Sequence, residues 1–568
     1  MKINGINASD GIAIGKVYKL ETVSFVIPSH PLTNKEDELL VLERALKKAE
    51  QELKIIKEKT RISIDQEHAD IFDAHIQIVN DPEILSQVTS LMVNENQNVT
   101  FAYNNVCDTF AQIFESMDNE YMKERAADVK DIKKRVLFHL LGIEMNDPSL
   151  IDEEVIIVAS DLTPSDTAQL NKNFVLGFAT NIGGKTSHSA IMARTLEIPA
   201  VVGTQNIMSI VNNDDEVIIN GALGYVIISP TKEEVDSHRT MQEEFVNQKK
   251  IWKKYSKKST KTKDLHHVEL AANIGSPEDI ESVLKTGAEG IGLYRTEFLY
   301  MNNDNLPTEE EQFIAYKIVL EKMQNKKVVI RTLDIGGDKQ LDYLPLDHEL
   351  NPFLGQRALR LCLENIDLFK TQLRALVRAS KYGDLHIMFP MVATINELRQ
   401  AKAVLEESKQ ELINEGKEVG TYKVGIMVEI PSVAILADQF AKEVDFFSIG
   451  TNDLIQYSFA ADRMNQKVSY LYQPLNPSLL RLIKMVIDAS HKEGIWTGMC
   501  GEMAGDQLAA PILLGLGLDE FSMSASSVLQ TRYSFDHLNK KDMEVLSSKA
   551  LQCATSEEVE ELVKNSIL

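Results

Sequence analysis

The chain has 568 residues, and its 60 Lys and Arg side chains against 84 Asp and Glu side chains give a formal net charge of −24. A hydrophobic content of 44% and a charged content of 25% are ordinary for globular proteins, so wholesale disorder is excluded, and the length predicts about three or four domains. A pI near 5.0 argues against non-specific nucleic-acid binding, which needs a basic surface. The negative charge suits a basic protein partner and, equally, solubility alone.

The sequence has no pattern typical of export or membrane insertion. The start, MKINGINASDGIAIGKV, contains no charged stretch followed by an apolar one, and no run of 18 apolar residues occurs. The four cysteines are isolated, without a CxxC pair, which excludes a disulfide scaffold and disfavours a structural zinc site. We therefore expect a soluble, cytoplasmic protein that does not insert into a membrane.

Residues 33–145 are predicted to be entirely helical. Thr33 and Glu36 have the spacing of a capping box. Apolar residues then recur three or four positions apart, as on one face of a helix, at Leu39, Leu42, Leu46, Ala49, Leu53 and Ile56.

Short β-rich runs lie on both sides of this helical segment. IAIGKVYKL precedes it, and EVIIVAS, FVLGFAT, EVIING and GYVIISP follow it, separated by Asp, Asn and Gly clusters. We therefore predict a small α/β domain made of residues 1–32 and 146–230, with the all-helical segment inserted into it.

Residues 231–263 are predicted to be a linker. Their end, KKIWKKYSKKSTKTK, holds eight lysines and no acidic residue. Such a run can be a basic patch for a nucleic acid or a partner, but its place between two β-rich regions of different pattern favours a solvated linker.

The remaining residues, 264–568, alternate between short apolar strands and segments with helical periodicity. The candidate strands are HVELAANI, GIGLYRTE, VVIRTLDIG, LHIMFPMV, VGIMVEIP, FFSIGTND, WTGMCGE and DEFSMS. Eight such strands in about 300 residues predict a (β/α)8 barrel, with a doubly wound open sheet as the alternative.

The candidate strands end, one after another, on charged or reactive residues. In a barrel of this type, catalytic groups lie at the C-terminal ends of the strands. Any one of these residues alone is better explained by a salt bridge, but six strands that end in this way predict an active site. The residues at these ends are Arg295, Glu297, Arg331, Asp334, Pro390, Glu429, Asn452, Asp453 and Cys500.

The residue types at this end indicate an anionic phosphorylated substrate. Guanidinium groups bind phosphate and carboxylate in a bidentate manner, and four are available at Arg295, Arg331, Arg357 and Arg463. Glu429 and Asp453 are hard oxygen ligands on adjacent strands, which is the usual arrangement for Mg²⁺. Cys500, beside Gly501, is either an inert buried thiol or a proton donor.

A second candidate site lies in the predicted α/β domain, in the segment GGKTSHSAIMAR. A Gly-Gly turn leads to His188, and Thr186 or Ser187 can cap the helix that follows. Backbone N–H groups in a first helical turn favour an anion, and neutral imidazole is a competent nucleophile near pH 7. A phosphorylated His188 would complement a phosphate-binding barrel.

The chain resembles, over essentially its whole length, the Enzyme I family of bacterial phosphoenolpyruvate:sugar phosphotransferase systems. Several strings occur in the family's order, which is far more specific than any one of them. They are DLTPSDTAQL, GGKTSHSAIMAR, GIGLYRTEFLYM, IRTLDIGGDK, NPFLGQRALR, IMVEIPSVA, FFSIGTNDLIQY and GMCGEMAGD.

The resemblance implies a role for each matching residue. His188 would be phosphorylated on Nε2 by phosphoenolpyruvate, would be oriented by Thr167, and would pass the phosphoryl group to the phosphocarrier protein HPr. Cys500 would protonate the leaving enolate as pyruvate forms. The implied substrate-binding residues are Arg295, Arg331, Arg357, Asn452, Asp453 and Arg463, and the implied ligands of Mg²⁺, with Mn²⁺ as an alternative, are Glu429 and Asp453.

The resemblance also implies partners. The helical segment 33–145 would dock HPr, and the barrel would form a homodimer. Because His188 and the barrel lie in different domains, His188 must swing between the barrel and HPr, with the lysine-rich linker as the expected hinge. Lys185 departs from the family, which often has Arg there, and a lysine lacks the bidentate geometry.

Two alternatives remain open at the level of sequence. Phosphoenolpyruvate synthase and pyruvate phosphate dikinase share the phosphohistidine and barrel domains, but they need an ATP-binding domain for which this chain has no room. A silent scaffold that only docks partners is disfavoured because every expected catalytic residue is present.

Overall fold

The computed structural model describes residues 1–20, 27–63, 75–76, 78–115, 120–143, 151, 153–162, 170, 174–184, 187, 189–190, 193–194, 198–301, 305–337, 341, 343–344, 349–462 and 465–567. Helices and strands are numbered below among these residues. The chain divides into two compact units, Met1–Glu243 and Glu244–Leu568.

The first unit contains an eight-stranded mixed sheet in the order β1-β8-β7-β3-β4-β5-β6-β2. Strands β3, β4, β5 and β6 are parallel neighbours, and the other pairings are antiparallel. Branched aliphatic residues make up most of β4 and β8, and every residue of these two strands is buried, as in a sheet covered on both faces. The strands are β1 (Lys2–Asn4), β2 (Ile6–Ser9), β3 (Ile12–Leu20), β4 (Val155–Ala159), β5 (Val175–Thr180), β6 (Ala200–Val202), β7 (Glu216–Asn220) and β8 (Tyr225–Ile228).

Among the described residues, four helices are inserted between β3 and β4. These two strands nevertheless pair directly, with Val17 opposite Ile156, so the predicted insertion of a helical segment into an α/β domain is confirmed. The helices are α1 (Lys35–Ser63), α2 (Pro82–Asn94), α3 (Val99–Glu115) and α4 (Glu120–Leu141).

The predicted apolar stripe of α1 forms part of a separate core between these helices. The described members of the stripe that are buried in this core are Leu42, Leu46, Ala49 and Leu53. The predicted start differs by one residue, because Asn34, rather than Thr33, caps the helix. The Oδ1 of Asn34 accepts a hydrogen bond from the Glu36 N–H at 3.0 Å.

Residues 231–263, which the sequence predicts to be a linker, begin with a long helix. A short helix α5 (Ile207–Ile210) precedes it, and α6 spans Lys232–Lys253. Within the first unit, the Nε2 of Gln242 on α6 donates to the carbonyl of Ile12 at 2.8 Å.

The end of this segment is attached to the second unit. The Tyr255 hydroxyl donates to Asp536 at 2.9 Å, and the buried Arg532 donates to the hydroxyl of Thr260 at 3.0 Å. The lysine-rich residues after α6 are therefore held in place within this unit.

Eight parallel strands close into a barrel in the second unit, in the order of the sequence. This closure confirms the predicted (β/α)8 architecture and excludes the open sheet. The strands are β9 (Glu269–Ile274), β10 (Gly290–Arg295), β11 (Lys327–Arg331), β12 (Asp384–Phe389), β13 (Tyr422–Val428), β14 (Phe446–Ile449), β15 (Trp496–Met499) and β16 (Glu520–Met523).

Helices surround the barrel and cover the outer faces of its strands with a continuous apolar core. None of the helices in the described part of the chain is long and apolar enough to cross a membrane. The helices are α7 (Ile280–Thr286), α8 (Glu297–Met301), α9 (Glu309–Met323), α10 (Leu359–Glu364), α11 (Ile366–Ala379), α12 (Ile395–Asn414), α13 (Pro431–Ile435), α14 (Ala437–Phe440), α15 (Thr451–Phe459), α16 (Pro477–Glu493), α17 (Ala509–Leu516), α18 (Ala525–His537), α19 (Lys540–Ala550) and α20 (Ser556–Ile567).

A cluster of charged residues lies at the N-terminal ends of the barrel strands, opposite the predicted site. The Lys327 Nζ lies 2.9 Å from Glu269 and 2.6 Å from Glu520, and 3.6 Å from the centre of the Trp496 ring. Burial and the neighbouring Glu520 raise the pKa of Glu269 to about 7.

Candidate active site

A chain of alternating arginines and carboxylates crosses the C-terminal end of the barrel. It begins at α8, where Glu297 accepts from the Nη2 of Arg331 at 2.6 Å. The Nη1 of Arg331 lies 2.8 Å from Asp334, whose other oxygen accepts from Arg357 at 3.0 Å. The Nη1 of Arg357 reaches Asp453 at 3.3 Å. All five side chains are buried, so each charge is balanced by its neighbours rather than by water.

The backbone of the β11 loop brings Arg357 into this chain. Gly336 has a φ of +107°, and a Cβ at this position would lie 2.5 Å from the Cβ of Arg357, so only glycine permits this approach. Tyr457 on α15 adds a second support, since its hydroxyl lies 3.3 Å from the Nη1 of Arg357 and donates to the carbonyl of Phe353 at 2.5 Å.

Glu429, at the end of β13, is held by the backbone of the neighbouring strand end. Its Oε1 accepts from the N–H of Met391 at 2.6 Å. Met391 has a φ of +54°, an uncommon conformation for a residue with a side chain. Burial, together with the nearby charges of Asp453 and Asp334, raises the pKa of Glu429 to about 8. This carboxyl group therefore lies in an environment that favours either a proton or a cation.

Glu429 and Asp453 are the residues that could hold a metal ion at this end of the barrel. A cation between two buried carboxylates would relieve the repulsion that raises the pKa of Glu429. Across the residues that the structure describes, no group of three or more His, Cys, Asp or Glu side chains has the arrangement of a metal site. Two carboxylates, with the remaining positions filled by substrate oxygens and water, are a usual arrangement for Mg²⁺ in proteins.

Cys500 lies at the end of β15, buried within the same end of the barrel. Its N–H donates to the carbonyl of Ile449 at 3.2 Å. A Cβ on the next residue, Gly501, would lie 1.7 Å from the Thr451 hydroxyl, so glycine lets the strand end approach α15. Burial raises the pKa of Cys500 to about 11, although Ser448 and the charges of Arg331 and Arg295 lower it in part. The thiol therefore keeps its proton at neutral pH.

Arg295 and Asn452 complete the described part of the predicted site. Arg295 ends β10 directly opposite Arg331 in the strand register and is half-buried. Asn452 lies in the first turn of α15, where its Oδ1 accepts from the Tyr472 hydroxyl at 2.7 Å.

Four other predicted residues, namely His188, Thr167, Lys185 and Arg463, lie outside the described residues. The neighbours of His188 that are described follow the predicted pattern. The hydroxyl of Ser187 accepts from the N–H of Ala190 at 3.3 Å, which is the contact of a helix N-cap, and lies 3.0 Å from the Ser189 hydroxyl.

Sequence reasoning missed several contributors to the site. Tyr457 could have been found, because it follows Asp453 by four positions and therefore shares its helical face. A single sequence gives no indication of the other two contacts. The backbone N–H of Met391 reaches Glu429 because the barrel strands close, and the hydroxyl of Tyr472 reaches Asn452 through the loop after α15.

Three family models match the chain and together cover most of it. Residues 4–125 match the model "PEP-utilising enzyme, N-terminal", and residues 151–224 match "PEP-utilising enzyme, mobile domain". Residues 249–540, which contain the barrel, match "PEP-utilising enzyme, PEP-binding domain". The fold and the site thus define the class of phosphoenolpyruvate-utilising enzymes.

Curated relatives of known name point to one family within this class of enzymes. The chain is 58% identical over 566 residues to the phosphoenolpyruvate-protein phosphotransferase of Priestia megaterium, with 100% of this chain and 99% of the relative covered. It is 58% identical to that of Listeria monocytogenes and 57% identical to that of Bacillus subtilis, each covering 99% or more of both chains. The chain belongs to the phosphoenolpyruvate-protein phosphotransferase family, and the family predicted from the motifs is confirmed.

Proposed function

We propose that the chain transfers the phosphoryl group of phosphoenolpyruvate to its own His188 and then to HPr, and releases pyruvate. The family membership supports phosphoenolpyruvate as the donor and a protein as the acceptor. In the first step, the bond between phosphorus and the enolate oxygen breaks while a bond to the Nε2 of His188 forms. The enolate carbon then takes a proton.

The observation that carries this proposal is the chain of arginines and carboxylates at the C-terminal ends of the barrel strands. The Nε atoms of Arg331 and Arg357 are buried and have no hydrogen-bond partner within the described residues. Buried guanidinium groups require acceptors, and phosphate or carboxylate oxygens are the acceptors that they bind best. These arginines, with Arg295, Asn452 and Arg463, would therefore bind phosphoenolpyruvate.

Use of a metal ion is a property of this enzyme family, and Mg²⁺ suits the two carboxylates of Glu429 and Asp453 best, with Mn²⁺ as an alternative. When bound, such an ion neutralises negative charge on the transferring phosphoryl group. Asp453 would serve both the metal ion and the arrangement of the substrate, because it is also the partner of Arg357.

Cys500 is the candidate donor of the proton that converts the enolate into pyruvate. A general acid must hold its proton until it is needed, and the raised pKa of the buried thiol ensures this at neutral pH. Thr167 would orient His188, and Lys185 would supply positive charge beside it.

The partners and the domain roles are also part of the proposal. The helices α1 to α4 would dock HPr, the barrel would form a homodimer in the cytoplasm, and the α/β domain that carries His188 would swing between them. The domain limits remain those predicted from sequence: 1–32 with 146–230, 33–145, the linker 231–263, and 264–568. Tyr255 and Thr260 are bound to the barrel unit, which supports a hinge that lies before Tyr255 in the chain.

Turnover with purified components tests this function. Pyruvate release from phosphoenolpyruvate should require Mg²⁺ and should continue only while unphosphorylated HPr is present as acceptor. Replacing phosphoenolpyruvate by ATP should give no phosphorylated HPr. Continued pyruvate release without HPr, beyond the single turnover that phosphorylates His188, would contradict the proposal, and so would phosphorylation of HPr from ATP.

A further inference from the structure

The side chain of Asn452 is held by a tyrosine from the segment of the chain that follows α15. The hydroxyl of Tyr472 donates to the Oδ1 of Asn452 at 2.7 Å. Asn452 is the second residue of α15, so its backbone is fixed by the first helical turn. Its side-chain amide can still rotate, and the Tyr472 contact determines which of its two ends is held.

The orientation matters because the two ends of an amide differ chemically. The oxygen only accepts hydrogen bonds, and the nitrogen only donates them. Phosphoenolpyruvate presents phosphate and carboxylate oxygens, which accept, so only the Nδ2 of Asn452 can bind it. By engaging Oδ1, the Tyr472 hydroxyl leaves Nδ2 as the end available to an anion.

The backbone on both sides of Tyr472 is held by hydrogen bonds. It follows the 3₁₀ helix Gln466–Leu471, and its N–H donates to the carbonyl of Ser469 at 3.0 Å. On its other side, Asn476 caps α16 by accepting from the Ser478 N–H at 3.0 Å and donates to Gln473 at 2.7 Å. A support that is itself fixed by hydrogen bonds holds a binding group more exactly than a mobile loop does.

We propose that Tyr472 is a positioning residue for phosphoenolpyruvate binding, which it promotes by holding the amide of Asn452 with Nδ2 directed to the substrate. This role rests on the proposed function, in which Asn452 contacts phosphoenolpyruvate. In this role, Tyr472 acts on the substrate through Asn452 rather than by direct contact.

Binding of phosphoenolpyruvate to variants that cannot accept its phosphoryl group tests the role. All proteins carry His188→Ala, and the Kd is measured by calorimetry in the presence of Mg²⁺. Tyr472→Phe keeps the ring and removes the hydroxyl, and we expect it to raise the Kd about 3- to 10-fold, as for the loss of one hydrogen bond. In an Asn452→Ala background, the same change should raise the Kd less than about twofold, since the group that it positions is gone.

Two further proteins complete the experiment. Tyr470→Phe is the matched control, because Tyr470 lies on the 3₁₀ helix just before Tyr472 but is 70% exposed, and it should leave the Kd unchanged. Asn452→Asp still accepts from Tyr472 but offers no donor, so it should weaken binding at least as much as Asn452→Ala. This variant tests the amide orientation even if Tyr472→Phe does not fold, and melting temperatures report on folding throughout.

The outcomes separate this role from the proposed function. If the His188→Ala protein binds phosphoenolpyruvate and Tyr472→Phe weakens binding equally with and without Asn452, the positioning role is wrong and the proposed function stands. An Asn452→Asp protein that binds as tightly as its parent would also overturn the role. If the His188→Ala protein does not bind phosphoenolpyruvate at all, the proposed function fails and the role of Tyr472 fails with it.

Discussion

Arg331 donates from Nη2 to the Oε1 of Glu297 over 2.6 Å, and both side chains are buried at the end of the barrel. The arginine that we expect to bind substrate is therefore oriented by the protein before any substrate arrives. Such preorganisation lowers the cost of arranging charges during the reaction. Glu297 also neutralises part of the positive charge of Arg331, so the arginines attract anions less strongly than unpaired guanidinium groups would.

The charges of the site lead to a first prediction, on the metal ion. The described part of the site holds more carboxylates than arginines. The arginines are Arg295, Arg331 and Arg357, and the carboxylates are Glu297, Asp334, Glu429 and Asp453. When Glu429 is ionised, this balance is unfavourable for an anionic substrate unless a cation is added. Removing divalent ions with a chelator should weaken phosphoenolpyruvate binding to the His188→Ala protein by about 100-fold or more, the scale of a close buried charge pair. Binding of equal strength with and without the chelator would contradict it.

A second prediction concerns the carboxylate that orients Arg331. Glu297→Gln keeps the shape but removes the charge, and a hydrogen bond to a charged group contributes about 1.5–3 kcal/mol. We therefore expect kcat/KM for phosphoenolpyruvate to fall about 10- to 100-fold. In the proposed mechanism, phosphoryl exchange between His188 and phosphorylated HPr does not use the barrel, so it should continue at the normal rate. Loss of both activities would indicate a folding defect rather than misplaced binding.

Cys500→Ala separates proton transfer from phosphoryl transfer. Pyruvate formation should fall by at least about 100-fold, the usual contribution of a general acid. Exchange with phosphorylated HPr should be unaffected, and Cys553→Ala, which removes a half-buried cysteine outside the site, is the control. Because the pKa of Cys500 is raised to about 11, ionisation of this thiol should not reduce the wild-type rate between pH 7 and 9. A variant that forms pyruvate normally would show that another group supplies the proton.

The cluster at the opposite end of the barrel predicts a pH-dependent stability. The pKa of Glu269 is raised to about 7, so the folded chain retains a proton that the unfolded chain loses near pH 4.5. The stability that this bound proton gives the folded chain is fully present below pH 4.5 and is lost as the pH rises through 7. Lys327 stays charged over this range, while the lowered pKa of His386 acts in the opposite direction below pH 6.5.

Comparison with a variant isolates the effect of Glu269. Glu269→Gln mimics the protonated form, so its melting temperature relative to the wild type should be higher at pH 8 than at pH 5. The exposed Glu281→Gln on α7 is the control and should show no such change. If Glu269→Gln is instead less stable relative to the wild type at pH 8, the ion pair with Lys327 dominates and the prediction is wrong.

Much of the fold could be predicted because it depends on local patterns. The eight barrel strands, and the helical insertion between β3 and β4, follow from periodicity and from the β-rich runs around it. The residues at the strand ends could be predicted because a parallel barrel brings those ends together. The pairing among them could not, since the contact between Arg357 and Asp453 joins residues 96 positions apart through a loop conformation.

Labelling of the intact chain by phosphoenolpyruvate, radioactive in its phosphoryl group, tests the central claim most directly. In the presence of Mg²⁺, the wild type should take up close to one acid-labile, base-stable label per chain, as a phosphohistidine does. His188→Ala should take up none while still binding phosphoenolpyruvate, and adding HPr should remove the label from the wild type. A wild type that stays unlabelled, or a His188→Ala protein labelled to the same extent, would contradict the account.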